Sequence, residues 1–210
     1  MRKLLVLALL AFGAYKSYGY FMQSSVAAFD ENGNPQTLLF TFDGCAPCND
    51  AVKLLKQRKI AFNEYNVSTS TENQQLLRDY GGRRQLPYAV SGNRSAAGFQ
   101  KDEFVGMLAE VYGESVLTRQ ERKLMKNNFD TAGNPVVVMY STETCGYCKK
   151  ARDLFESKGV NFVERDIKKS SSAKRDFAAL HGHGTPLIYI GYRRVSGFNE
   201  SKLKDAINVL

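Results

Sequence analysis

The residues of this chain best suited to chemistry are its four cysteines, which fall as two pairs at one spacing, Cys45-Ala46-Pro47-Cys48 and Cys145-Gly146-Tyr147-Cys148. Four cysteines are too few for a disulfide-stapled scaffold, whereas two C-x-x-C pairs suit either thiol–disulfide exchange or metal binding. A cysteine at the start of a helix meets unpaired backbone N–H groups and the positive end of the macrodipole, and both favour a thiolate. A second cysteine three positions on lies one turn along the same face, where it can attack a mixed disulfide formed by the first. Cys45 and Cys145 are therefore assigned as nucleophiles, and Cys48 and Cys148 as resolving thiols. Zinc knuckles place their pairs about 15–20 residues apart. These pairs lie in separate halves of the chain, which disfavours a four-thiolate site. His181 and His183 have no companion ligands and read as structural or exposed, so no metal ligand is expected.

The elements that must position these cysteines occur twice. Phe29-Asp30 recurs as Phe129-Asp130, Gly33-Asn34-Pro35 as Gly133-Asn134-Pro135, and both cysteines of the first pair recur 100 residues later. Leu54, Phe62 and Glu64 likewise return as Leu154, Phe162 and Glu164. The register then slips by one, so that Pro87, Gly98 and Phe99 match Pro186, Gly197 and Phe198. Such self-similarity predicts two homologous domains of roughly 80 residues each.

Each repeat opens with a short apolar run entered through Asn-Pro, Leu38 to Phe42 or Val136 to Tyr140, as expected for a strand covered on both faces. The C-x-x-C follows at once, and apolar residues at helical spacing come next, ending near Lys59 or Gly159. A second strand, a polar helix, an X-Pro step, two further strands and a last helix entered through Gly-Phe complete the order β-α-β-α-β-β-α. That order implies an α/β fold, a small mixed sheet flanked by helices. A proline beginning a strand donates no ladder hydrogen bond, and in a cis turn it leaves the preceding backbone free to pair with an extended substrate. Leu86-Pro87 and Thr185-Pro186 stand at that step.

The predicted organisation is a signal peptide or membrane anchor over 1–28, a first domain over 33–112, a helical linker over 113–132 and a second domain over 133–210. Arg2 and Lys3 followed by Leu4 to Phe12 form a positive n-region and an apolar h-region, which predict export. Cleavage near Val26-Ala27-Ala28 and an uncleaved anchor from Leu4 to Met22 both stay open; either places the domains across the membrane, periplasmic or anchored facing the periplasm. In the linker, Arg119, Arg122, Lys123 and Lys126 alternate with Val116, Leu117, Leu124 and Met125, which reads as a solvated helix packed on a domain rather than a membrane- or partner-binding stripe. The net charge of +8 is partly the N-terminal segment's, and no basic block is interleaved with aromatics, so nucleic acid is not an expected partner.

With these residues in view, the chain resembles the glutaredoxin family. The likeness is carried by Tyr140 to Cys148, by Thr185-Pro186 and by Ser196-Gly197-Phe198-Asn199, and spans nearly all of residues 133–210. The first repeat is more distant, and its Arg84-Gln85-Leu86-Pro87 is similar to the glutaredoxin-like redoxins that serve ribonucleotide reductase. The resemblance implies two tandem thioredoxin-fold domains that exchange dithiols with protein disulfides or glutathione mixed disulfides. It implies no permanently bound cofactor, and glutathione or a thioredoxin-like reductant as electron donor. It also implies substrate contacts from Tyr147, Thr185, Pro186, Gly197, Phe198 and Asn199, with Leu86 and Pro87 as the first-repeat counterparts. The lysine usual three residues before the first cysteine is replaced by Thr142, or Phe42 in the first repeat, and an acidic residue, Asp43 or Glu143, stands two before it. Two alternatives follow from the same resemblance: Gly146 is compatible with a glutathione-dependent iron–sulfur cluster, and one repeat could serve as a non-catalytic substrate-binding module.

Overall fold

The computed structural model describes residues 27–208 and 210. All of the apolar segment assigned to export except Ala27 and Ala28 lies outside them. Among the described residues no helix is long and apolar enough to cross a membrane.

The first half comprises β1 (Thr37–Thr41), α1 (Ala46–Gln57), β2 (Asn63–Asn66), α2 (Thr71–Asp79), β3 (Tyr88–Ser91), β4 (Arg94–Ala97) and α3 (Lys101–Tyr112). A 3-10 turn (Gly113–Val116), α4 (Arg119–Met125) and a second 3-10 turn (Lys126–Asn128) connect the halves. The second half repeats the order with β5 (Val137–Ser141), α5 (Gly146–Ser157), β6 (Phe162–Asp166), α6 (Ser171–Ala179), β7 (Leu187–Ile190), β8 (Arg193–Ser196) and α7 (Glu200–Ile207).

Each half forms a four-stranded sheet, ordered β2-β1-β3-β4 or β6-β5-β7-β8. The pairs β1–β2 and β5–β6 are parallel, and the others antiparallel. These are two thioredoxin-fold domains in tandem. The central strands β1 and β5 are buried at every position, which is why their sequences run apolar without alternating. Ahead of each, one Asx turn is built twice: the Asp30 carboxylate accepts from the amides of Asn32 and Asn34, and Asp130 from those of Ala132 and Asn134. Ala28 is already buried and bridges to Gly92.

The two halves differ in what covers their last helix. In α7 the buried residues are Leu203 and Ala206, one stripe facing its own sheet. In α3 every residue from Phe104 to Ala109 is buried. That helix packs on β3 and β4 by one side and on β8 by the other, and one apolar cluster runs from Leu39, Leu55 and Phe104 through Val105 and Ala109 to Tyr140, Leu187 and Tyr189. Gly106 makes the approach close: a Cβ there would stand 2.4 Å from the backbone oxygen of Tyr192. Asp102, Gly106 and Glu110 recur every four residues on this outward face. Glu110 pairs with Arg193 of the second domain at 2.9 Å and with Arg94 of the first.

The connecting segment folds back on the first domain. Thr118 and Glu121 cap α4 reciprocally, Arg58 donates to the Val116 carbonyl and pairs with Glu121 at 2.7 Å, and Val116, Leu117 and Met125 are buried.

Candidate active site

In the second domain β5 delivers the chain to Cys145, the N-cap of α5, whose backbone is extended while its sulfur accepts the Cys148 amide at 3.0 Å. Cys145 and Cys148 are joined as a disulfide with Cα atoms 5.2 Å apart. Cys148 is fully buried and Cys145 only partly so, which leaves the outer cysteine as the member of this pair open to solvent. No acidic residue occupies the first turn of α5 to oppose negative charge on that sulfur. Glu143, just upstream, is paired with Lys169 at 2.8 Å, and this contact raises the Lys169 pKa.

The Thr185–Pro186 peptide is cis, and the Thr185 carbonyl oxygen lies 3.4 Å from the Cys145 sulfur, within reach of a thiol proton there. Gly197 is tied to the same loop, its amide donating to the Pro186 carbonyl at 2.8 Å. The space above Gly197 is open, with no atom within 4 Å of a Cβ placed there. The fold thus brings Cys145, Thr185, Pro186 and Gly197 together. Phe198 packs against the core cluster of this domain, and the Asn199 side chain caps α7 by accepting the Lys202 amide at 2.9 Å. Tyr147 is 61% exposed, with the Lys150 ammonium 5.4 Å from its ring centroid.

The first domain repeats the frame and changes the surroundings. Cys45 caps α1, accepts the Cys48 amide at 3.1 Å and is joined to Cys48 as a disulfide. Leu86–Pro87 is cis, and the Gly98 amide donates to the Pro87 carbonyl at 2.8 Å. Here, however, Cys45 is only 4% exposed. Leu86 packs its side chain on the cluster around Phe40 and Leu77. Above Gly98 the space is filled: a Cβ there would meet Gln85 Nε2 at 2.7 Å. Gln85 belongs to the stretch where this repeat is one residue longer than the second, whose corresponding loop is His183-Gly184. The one-residue slip between the repeats marks this stretch, but nothing in the residue types signals a side chain lying over the glycine.

An open cleft of about 680 Å3 lies between the first turn of α3 and the second site, lined by Lys101, Asp102 and Glu103 on one side and by His183, Thr185 and Gly197 on the other. Its only sequence signal is the unbroken apolar run from Phe104 to Ala109, because a helix with one solvent face does not need buried residues all round.

The family model described as Glutaredoxin matches this chain twice, over residues 37–94 and 137–195, together more than half its length. Glutaredoxin 3 of Escherichia coli (strain K12) is 34% identical over 71 residues, covering 33% of this chain and 86% of that protein. A glutaredoxin-like 8.6 kDa protein from the rubredoxin operon of Clostridium pasteurianum is 29% identical over 73 residues, 34% of this chain and 97% of that one. Among solved structures, a glutaredoxin from Archaeoglobus fulgidus with 31% identity covers 34% of this chain and 84% of its own, at a TM-score of 0.31.

Proposed function

The chain belongs to the glutaredoxin family, and from that premise we propose that it is a thiol–disulfide oxidoreductase with unequal sites, the second open to glutathione-linked disulfides and the first restricted to disulfides that reach a covered sulfur. The observation that carries this reading is the second site itself: a partly exposed cysteine at a helix start, its sulfur 3.4 Å from the Thr185 carbonyl, beside an unfilled space over Gly197.

In the reduced enzyme the Cys145 thiolate attacks one sulfur of the substrate disulfide. A Cys145–substrate S–S bond forms, the substrate's own S–S bond breaks, and the departing thiolate takes up a proton. Cys148, one turn along and buried, then loses its proton and attacks the Cys145 sulfur. The Cys145–Cys148 disulfide forms and the second substrate thiol leaves. The substrate gains two electrons and the enzyme dithiol is oxidised to the closed pair seen in the structure. Glutathione or a thioredoxin-like reductant returns the two electrons. During the mixed-disulfide stage the backbone at Thr185, beside Pro186, faces the bound partner, with Gly197, Phe198, Asn199 and Tyr147 around it. Leu86 and Pro87 take the corresponding part at the first site.

The test is reduction of a glutathione mixed disulfide by the full chain. Cys145→Ser is expected to lower turnover by about 100-fold or more, as loss of a covalent nucleophile does, while Cys45→Ser retains most of it. Undiminished turnover by Cys145→Ser sinks the assignment.

A further inference from the structure

The loop that presents Thr185 is not held by its own domain alone. Arg194, on the edge strand β8, donates to the backbone oxygens of Leu180 and His181 and, at 3.0 Å, to the Tyr189 hydroxyl. Its side chain is 8% exposed, so its charge has left water and needs a nearby opposite charge. The carboxylate that meets it, at 3.5 Å, is Asp102 in the first turn of α3 and therefore in the first domain. Asp102 also meets His181 Nδ1 at 3.0 Å. One carboxylate thus reaches both the His181 ring and the guanidinium that holds the backbone at 180 and 181, a few residues before Thr185.

The loop needs such holding. His181, just past the end of α6, has φ of +49°, a left-handed conformation that costs a residue with a Cβ more than the glycine at the same place in the first repeat. The first domain has no counterpart of this arrangement. Gly81 stands in the place of His181, Ser95 in that of Arg194, and the position equivalent to Asp102 in α7 is Ser201.

We propose that Asp102 is a positioning residue for the second site, a group of the first domain that holds the 180–185 loop through Arg194 and His181 so that Thr185 meets the disulfide substrate. The second C-x-x-C then works in a composite cleft, one wall of which belongs to the other repeat. This rests on the reading of Cys145 as the nucleophile.

The experiment uses the full chain carrying Cys45→Ser and Cys48→Ser, so that only the second site reports, with a glutathione mixed disulfide as substrate. Asp102→Asn is expected to raise KM roughly five- to tenfold and leave kcat within about twofold, because the loop seats the substrate, whereas the bonds that form and break lie between sulfurs. Asp102→Glu is expected to restore most of the loss. Amide hydrogen exchange in 180–185 should speed up in Asp102→Asn while that of β5 and β7 stays unchanged. An unmoved KM, an equal fall in kcat, or faster exchange across the whole second domain each overturns the proposal. If Cys145→Ser in this background loses no turnover, the reading of the site fails instead, and the exchange measurement still decides whether Asp102 holds the loop.

Discussion

The first and second C-x-x-C sites share a frame and differ in access. In both, a buried strand ends at a cysteine that caps a helix, the resolving cysteine donates its amide to that sulfur, and a cis X-Pro step links to a Gly-Phe turn. In the second site the outer cysteine is partly exposed and the glycine beside it stands open. In the first the outer cysteine is 4% exposed and Gln85 lies over the glycine. The capacity for exchange is set within a few residues of the helix start, where dipole and amides act. On the proposed reading, what enters is set by a loop some 40 residues further on, so that duplication would keep the chemistry and change the substrate.

Uncovering the first site should make it behave most like the second. With Cys48→Ser trapping the adduct, we expect Gln85→Gly to raise the rate at which Cys45 acquires glutathione from glutathione disulfide by about tenfold, the equivalent of about 1.4 kcal/mol. The rate should move toward that of Cys145 in Cys148→Ser, both followed by intact mass. Equal rates before the substitution would show that Gln85 excludes nothing.

The next largest effect concerns the two last helices. Gly106→Ala places a Cβ 2.4 Å from the Tyr192 carbonyl oxygen, a backbone atom that cannot swing away. Overpacking of this kind costs about 1–3 kcal/mol, which outweighs the helix-propensity gain of at most about 1 kcal/mol. Net destabilisation is expected in denaturant unfolding. The equivalent change on α7, Asp205→Ala, falls at an exposed position and should stay within about 0.5 kcal/mol. Similar losses at both positions would mean that α3 is not special.

The smallest effect separates the halves by pH. Burial pushes the Tyr189 phenol up to about 12, against which the Arg194 guanidinium acts only in part. Val90 stands at the corresponding place in the first domain. Because the folded value lies above the ordinary 10.0, the stability this neutral phenol contributes is fully present below about pH 10 and is lost as pH rises toward about 12. Tyr189→Phe should flatten that alkaline decline, read from unfolding curves at stepped pH. An unchanged slope would remove Tyr189 as its cause.

Much of the molecule was legible in the sequence because its signals are local. The Asn-Pro entry, the apolar strand, the cysteine at the helix start and the X-Pro step each act over a few residues, and seeing them twice fixed the tandem fold. The contacts that distinguish the halves are not local. Gln85 meets Gly98 only after the X-Pro loop and the β4 edge have been brought together, and nothing in either residue type announces it. Asp102 and His181 are 79 positions apart, and each alone reads as an ordinary exposed side chain. The spacing in the connecting segment suggests a helix, whereas its ion pair with Arg58 requires knowing where α1 ends. The run from Phe104 to Ala109 did carry a trace of the domain contact, since Lys204-Asp205 interrupts the matching run in the second repeat.

The burial of α3 on two sides also sets where this polypeptide can be divided. A cut in the connecting segment looks harmless on a map of the repeats, yet it would release a first half whose helix bares Val105, Gly106 and Ala109 beside an Asp102 stripped of Arg194 and His181 and a Glu110 left with Arg94 alone. Such a fragment would tend to precipitate or to pair with its own kind through that stripe. The two repeats are copies by descent, but as a material the protein has one seam, and α3 is sewn into both sides of it.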